Sequence, residues 1–95
     1  MKNGNGNKIY FSEIKYKVLK FIKDFIEEYD YSPTYLEVGK HFNFSRSRAA
    51  IICKDLYKMG LINKGESNHR KIRMTQMQLN SVNSLKFNRE FQAHG

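Results

Sequence analysis

Residues 32–75 read SPTYLEVGKHFNFSRSRAAIICKDLYKMGLINKGESNHRKIRMT. Pro33 turns Ser32 away from helical angles. Thr34 then opens a helix, with Glu37 three residues on at capping-box spacing and Leu36, Val38 and Phe42 as its apolar residues. Gly39 lies inside that helix, where it costs about 1 kcal/mol relative to Ala; close approach of the next helix is a reason to keep it. Asn43 suits the left-handed residue that ends a helix, and Phe44 is placed to plug the core at the turn. Ser45 caps a third helix that runs to about Met59, with Gly60 at the position just beyond its end. Leu61 and Ile62 are expected as a short strand. Residues 63–70, NKGESNHR, are polar and glycine-containing like a hairpin loop. Residues 71–75, KIRMT, alternate polar and apolar like a half-buried strand.

Upstream, Ser12 is a fitting N-cap. Ile14, Val18, Ile22, Phe25, Ile26 and Tyr29 recur at helical spacing, widened by Leu19 and Phe21. They predict a first helix over about 12–29, the main donor of core residues. Residues 1–11 are expected as a flexible polar arm, and Tyr31 with its neighbours as a short strand. In the tail, residues 76–95, Leu79, Val82 and Leu85 have weak helical spacing opposed by Asn80, Asn83 and Asn88. A short helix that docks or dimerises and an unstructured tail both remain open there. The whole order predicts a mainly α chain with a small β-hairpin: a winged helix-turn-helix of three helices plus wing over residues 12–75, with room for a C-terminal helix.

Ninety-five residues allow one domain with a modest core. No apolar run reaches the roughly 18 residues of a membrane span, and MKNGNGNK lacks the apolar centre of a signal peptide. The single cysteine, Cys53, excludes an internal disulfide and builds no metal site alone; a reducing, cytoplasmic setting is expected. Net charge is +8, and its placement is uneven. Residues 13–28 hold four lysines against four carboxylates, whereas residues 40–75 hold nine basic against two acidic residues. A polyanion-binding face requires that asymmetry. A membrane-surface role fits less well, because no helix pairs a basic face with a broad apolar one. Catalytic signals are missing: GNGNK lacks the strand and helix around a phosphate loop, and His41, His69 and His94 have no ligand spacing with Cys53. No catalytic residue, metal, cofactor or small-molecule substrate is expected.

On a helical wheel of about 100° per residue, Ala49, Ile52, Cys53 and Leu56 of the third helix face inward. Ser47, Ile51, Lys54 and Lys58 face outward, flanked by Arg48 and Ala50. A recognition helix reads base edges with its N-terminal part, so Arg46, Ser47, Arg48, Ala50 and Ile51 are the base-reading candidates. Arg grips guanine bidentately, and Ala or Ile touches a thymine methyl. An outward isoleucine in a basic face also suits burial against a second subunit. Lys54 and Lys58 are placed for phosphates, as are Thr34, Tyr35 and Ser45 at two helix starts. Lys64, His69, Arg70 and Lys71 are the wing residues for backbone or minor-groove contact.

Residues 18–50, VLKFIKDFIEEYDYSPTYLEVGKHFNFSRSRAA, resemble the N-terminal DNA-binding domain of LexA-type repressors. The likeness extends over about residues 12–75. Its most specific parts are Ser32-Pro33-Thr34 with Glu37, Phe44-Ser45, Ala49-Ala50 and the run Met59-Gly60-Leu61-Ile62 into the wing. The resemblance implies a winged helix that binds duplex DNA through the third helix, with family base-contacting positions at Arg46, Arg48, Ala49, Ile51 and Ile52. Departures limit it. Family members carry acidic or amide residues where Arg48, Ile51 and Ile52 stand, so the SOS operator is not the expected target. The third helix is one residue shorter before its glycine. LexA-type repressors continue into a self-cleaving domain with a dimer interface, for which this length leaves no room, so autocleavage is not expected.

The reading is therefore a small sequence-specific duplex-DNA-binding regulator, a repressor, of the kind carried by phages or mobile elements. A C2 homodimer, closed through the tail or the first helix, is the economical expectation. One alternative is a replication or recombination accessory that binds single-stranded DNA on exposed aromatics. The other is a winged helix used for protein–protein interaction.

Overall fold

A computed structural model of the chain describes residues 8–65 and 71–87, and the backbone of residues 89–92. Ser12 caps α1 (Glu13–Tyr29), its hydroxyl accepting the Lys15 N–H. The helix ends at Asp30, left-handed at φ 66°, whose N–H donates to the Ile26 carbonyl. Residues 30–34 are bends and extended chain; the short strand expected around Tyr31 does not form.

Thr34 and Glu37 form the capping box at the start of α2 (Tyr35–Phe42). The Thr34 hydroxyl accepts the Glu37 N–H at 3.1 Å, and the Glu37 carboxylate accepts the Thr34 N–H at 2.8 Å. Asn43, at φ 62°, ends the helix. Gly39 is needed here because a Cβ on it would stand 2.8 Å from the Phe44 carbonyl oxygen. The close approach is thus made by the turn itself rather than by the body of the next helix.

Ser45 caps α3 (Arg46–Lys58), its hydroxyl accepting the Arg48 N–H at 3.0 Å. The helix closes through Gly60, left-handed at φ 78°. The Gly60 N–H donates to the Tyr57 carbonyl and the Leu61 N–H to the Leu56 carbonyl, the paired bonds of a Schellman ending. That closure explains a correction: Leu61 and Ile62 are not a strand. Leu61 is occupied in ending the helix, and Ile62 is buried at 2 % exposure. The wing strands are β2 (Asn63–Lys64) and β3 (Ile72–Arg73), antiparallel with Asn63 opposite Arg73. Gly65 N–H donates to the Lys71 carbonyl at 2.9 Å where the hairpin loop begins.

The chain then enters α4 (Gln76–Ser81) through a second capping box, Thr75 with Gln78, followed by a 3-10 turn over Val82–Ser84. Leu79 and Val82 are buried in the common core, and the turn packs on α1. A further difference from expectation lies at the N-terminus. Lys8–Phe11, expected within the polar arm, form β1, which pairs antiparallel with β4 (Arg89–Gln92). Phe11 is fully buried beside α1, its ring edge-on to Tyr16. An apolar residue at the arm's end with a buried place to go outweighs the polar composition before it. Residues 1–7 lie outside the described residues.

The core is one cluster: Val18, Leu19 and Ile22 of α1, Val38 of α2, Ala49, Ile52, Cys53 and Leu56 of α3, closed by Ile62, Ile72 and Val82. Among the described residues the structure is a mostly helical winged helix-turn-helix with two separate two-stranded sheets.

Candidate nucleic-acid interface

The four inward residues of α3 hold it against α1 and α2, which fixes what faces out. Ser47, Ile51, Lys54 and Lys58 are exposed, Ile51 at 62 %. Arg46 and Arg48 are exposed at the N-terminal turn and Ala50 is half-buried. The five base-reading candidates thus sit together on the first two turns. The positions carried over from the family divide. Arg46, Arg48 and Ile51 are on the surface, but Ala49 at 0 % and Ile52 at 6 % exposure are core residues. Helical periodicity outranks positional transfer here, because those two lie on the stripe that packs on α1 and α2.

The electrostatics follow from pairing. Asp55, the acidic residue of α3, turns toward α1 and meets the Lys15 ammonium at 3.2 Å, with the Asp55 side chain only 33 % exposed. Lys15 also donates to the Tyr10 carbonyl at 2.8 Å. The other lysines of α1 are compensated within their own helix: Lys17 by Glu13, Lys20 by Asp24, Lys23 by Glu27 at 2.7 Å. The bond from Glu27 raises the Lys23 pKa above its ordinary value, against the opposing pull of burial. Among the described residues no carboxylate pairs with Arg46, Arg48, Lys54, Lys58, Lys64, Lys71 or Arg73. Among the described residues, most of the uncompensated positive charge therefore lies on α3 and the wing strands, with Lys8, Lys40 and Lys86 as scattered cations outside them.

Among the described residues two cations are held by rings, which the sequence reading missed. The Arg48 guanidinium carbon lies 4.1 Å from the centroid of Phe44, one helical turn back in the chain. The Lys64 ammonium lies 5.0 Å from the Tyr57 ring centroid. The first contact orients Arg48 at the edge of the face. The second ties the wing strand β2 to the last turn of α3. An aromatic four residues before an Arg across a helix start was the available signal for the first pair; the second joins elements whose packing no local spacing reveals.

The phosphate candidates separate by helix. Lys54 and Lys58 are exposed along α3. At the start of α3 the Ser45 hydroxyl and carbonyl engage the Arg48 and Ala49 N–H groups, leaving those of Arg46 and Ser47 without intrahelical acceptors. At the start of α2, Thr34 is half-buried and engaged in its capping box. Tyr35 packs half-buried on the core, and burial raises its phenol pKa, so it is a donor rather than an anion. In the wing, Lys64 and Lys71 are exposed, whereas His69 and Arg70 lie outside the described residues. Among the described residues no group of His, Cys, Asp and Glu is placed to hold a metal, and no helix is long and apolar enough to cross a membrane.

A helix with an uncompensated basic face, flanked by a wing on the same chain, has the form of a groove-reading unit, and the sequence comparisons agree with it. The LexA repressor of Thermosipho melanesiensis (strain DSM 12029 / CIP 104789 / BI429) is 36 % identical over 67 residues, 70 % of this chain and 34 % of that protein. The chain thus spans about a third of the length of that relative. Residues 11–71 match the family described as the LexA DNA binding domain, and the chain belongs to that family.

Proposed function

We propose that the chain is a sequence-specific double-stranded-DNA-binding regulator, acting as a repressor, that lays α3 in the major groove and the wing along phosphates or the minor groove. The observation that carries this is the outward face of α3. It is basic and uncompensated, and its acidic residue, Asp55, is turned inward and paired. Arg46, Ser47, Arg48, Ala50 and Ile51 are the base readers, and Lys54 and Lys58 meet the backbone. The repressor role rests on the likeness to a protein named LexA repressor. The outward Ile51, where family members carry acidic or amide residues, gives this chain a different target. Tyr29, the exposed ring of α1, lies at the acidic end of that helix, and the exposed Tyr57 of α3 has the Lys64 ammonium over its ring, which favours a duplex ligand over a single strand stacked on aromatics.

Selection from random duplexes, followed by gel shifts on the selected duplex, a random duplex and a single strand, tests this. The selected duplex should bind tightest, and log affinity should fall steeply against log salt. Arg48→Ala should cost roughly 1–3 kcal/mol on the selected site and relax one position of the consensus. Lys54→Ala should weaken all duplexes alike and lower the salt slope by about 1. Equal losses on every sequence for Arg46, Arg48 and Ile51 variants would remove the base-reading role.

A further inference from the structure

Among the described residues, Arg48 is the cation of the α3 face that is fixed at both ends. Its backbone N–H donates to the Ser45 hydroxyl at 3.0 Å, and its guanidinium carbon lies 4.1 Å from the centroid of the Phe44 ring. That ring is itself firmly seated. The Phe44 N–H donates to the Gly39 carbonyl at 2.7 Å, and the Phe44 carbonyl oxygen stands 2.8 Å from where a Cβ on Gly39 would be. The ring stacks on Phe42 at 5.6 Å with 19° between the planes, and Phe42 meets Phe21 of α1 edge-on at 5.6 Å. A column of rings thus runs from α1 through the turn to Arg48. Arg46, Lys54 and Lys58 have neither a ring nor a carboxylate among the described residues.

A long arginine side chain loses rotamer freedom when it docks, and affinity falls by that cost. A ring removes part of the freedom beforehand and leaves the charge in place, where a carboxylate would cancel it. Direction matters as much as order. Bidentate contact with guanine needs the N–H fork aimed at O6 and N7. An arginine free to swing can turn to a phosphate when the base is wrong, and so it discriminates weakly. One held over a ring lacks that escape. The sequence gives Phe44 only a core role, and half of it is indeed used there. We infer that Phe44 is also a positioning residue of the DNA interface: its ring fixes the direction of the Arg48 guanidinium and so sets how strictly one base position is read. The inference rests on the reading of α3 as the base-reading helix.

Two variants of the full chain separate the ring from its bulk. Phe44→Leu keeps an apolar side chain for the core and removes the ring; Phe44→Tyr keeps the ring. The first measurement needs no DNA: nitrogen relaxation of the arginine Nε–H groups in the free protein. Arg48 should be more rigid than Arg46 in the wild type and in Phe44→Tyr, and as mobile as Arg46 in Phe44→Leu. The second uses the duplex that the wild type selects. Phe44→Leu should weaken binding roughly 3- to 10-fold and flatten the same consensus position as Arg48→Ala, leaving the others sharp, while Phe44→Tyr should match the wild type. In an Arg48→Ala background Phe44→Leu should cost nothing further, because the two side chains act as one unit. An Arg48 as mobile as Arg46 in the wild type overturns the inference. So does a Phe44→Leu loss spread over every consensus position, or one that persists in full without Arg48, since Phe44 would then act through packing alone. A rigid Arg48 whose removal flattens no position would instead overturn the base-reading role of Arg48, and the role of Phe44 with it; the relaxation measurement tells that failure from the others.

Discussion

At Cys53 burial decides the chemistry. The thiol is 1 % exposed in α3, and its pKa is pushed from 9.0 up to about 12 by burial. Too little thiolate exists at neutral pH for nucleophilic reaction, so iodoacetamide should leave the native protein unlabelled and modify it fully after denaturation. The shift also fixes a pH dependence. A thiol whose folded pKa is raised keeps its proton while the unfolded chain loses one, so stability falls as pH climbs from 9 toward 12. Tyr35 and Lys23, also raised, contribute only above their ordinary values of 10.0 and 10.5. Between pH 9 and 10 the Cys53 effect should therefore stand apart, at about 1 kcal/mol in urea unfolding, and Cys53→Ala should flatten it. Gly39 is governed by sterics instead. The Cβ of Gly39→Ala would meet two backbone carbonyls, Phe44 at 2.8 Å and Ser45 at 3.3 Å, so the turn must move. The roughly 1 kcal/mol of helix propensity gained is outweighed, and a net loss of about 1–3 kcal/mol is expected. Unchanged thermal stability in that variant would show that the turn yields freely. At this scale the outward face of α3 was legible, because a 3.6-residue period alone separates Ile51 from Ile52. The ring beneath Arg48 was not, because it depends on where the turn places Phe44.

The helix ends carry most of what could be read at the level of elements. Ser12, Thr34 with Glu37, Asn43, Ser45 and Gly60 all occupy the capping positions their side chains or φ angles suit. Strands were harder. β1 and β4 are four residues each and pair across nearly the whole chain, so neither contains the information for the other, and β2 begins only after the Schellman closure has taken up Leu61. The contact of widest consequence between elements is one carboxamide. Gln78 accepts the Thr75 N–H at 2.8 Å and donates to the Gly60 carbonyl at 3.1 Å and to Asn63 Oδ1 at 3.0 Å. It therefore joins α4 to the end of α3, to β2 and to the residue pair that follows β3, which brackets the wing. Gln78→Glu keeps the acceptor for Thr75 but loses the donor and sets a carboxylate beside two oxygens. The wing base should loosen at a cost of about 1–3 kcal/mol. Affinity for the selected duplex should drop while the sequence preference set by α3 persists, as a repeat selection would show. A shifted consensus would mean instead that α4 aims α3 directly.

Across the whole molecule, the boundary of the family and the boundary of the core do not coincide. The family match ends at residue 71, yet the hydrophobic cluster continues through Met74, Leu79 and Val82, with Leu85 packed against it. Weak helical spacing and three asparagines made this tail ambiguous as a sequence. Its capping box and two buried residues make it part of the fold, because α1 has apolar surface that the wing does not cover. The tail therefore contributes stability wherever else it acts. Leu79→Ala should cost about 2–4 kcal/mol and Val82→Ala somewhat less. Against the roughly 5–15 kcal/mol that holds a domain folded, losing both together with the strand that pairs with β1 is large. A chain ending at Thr75 should lose most of its cooperative unfolding transition and its duplex binding. The two point variants, made in the full chain, should unfold at lower urea with the selected site unchanged. Cooperative unfolding at wild-type urea by residues 1–75 would show that the helical triad and wing suffice, and that Leu79 and Val82 only cover a surface already stable without them.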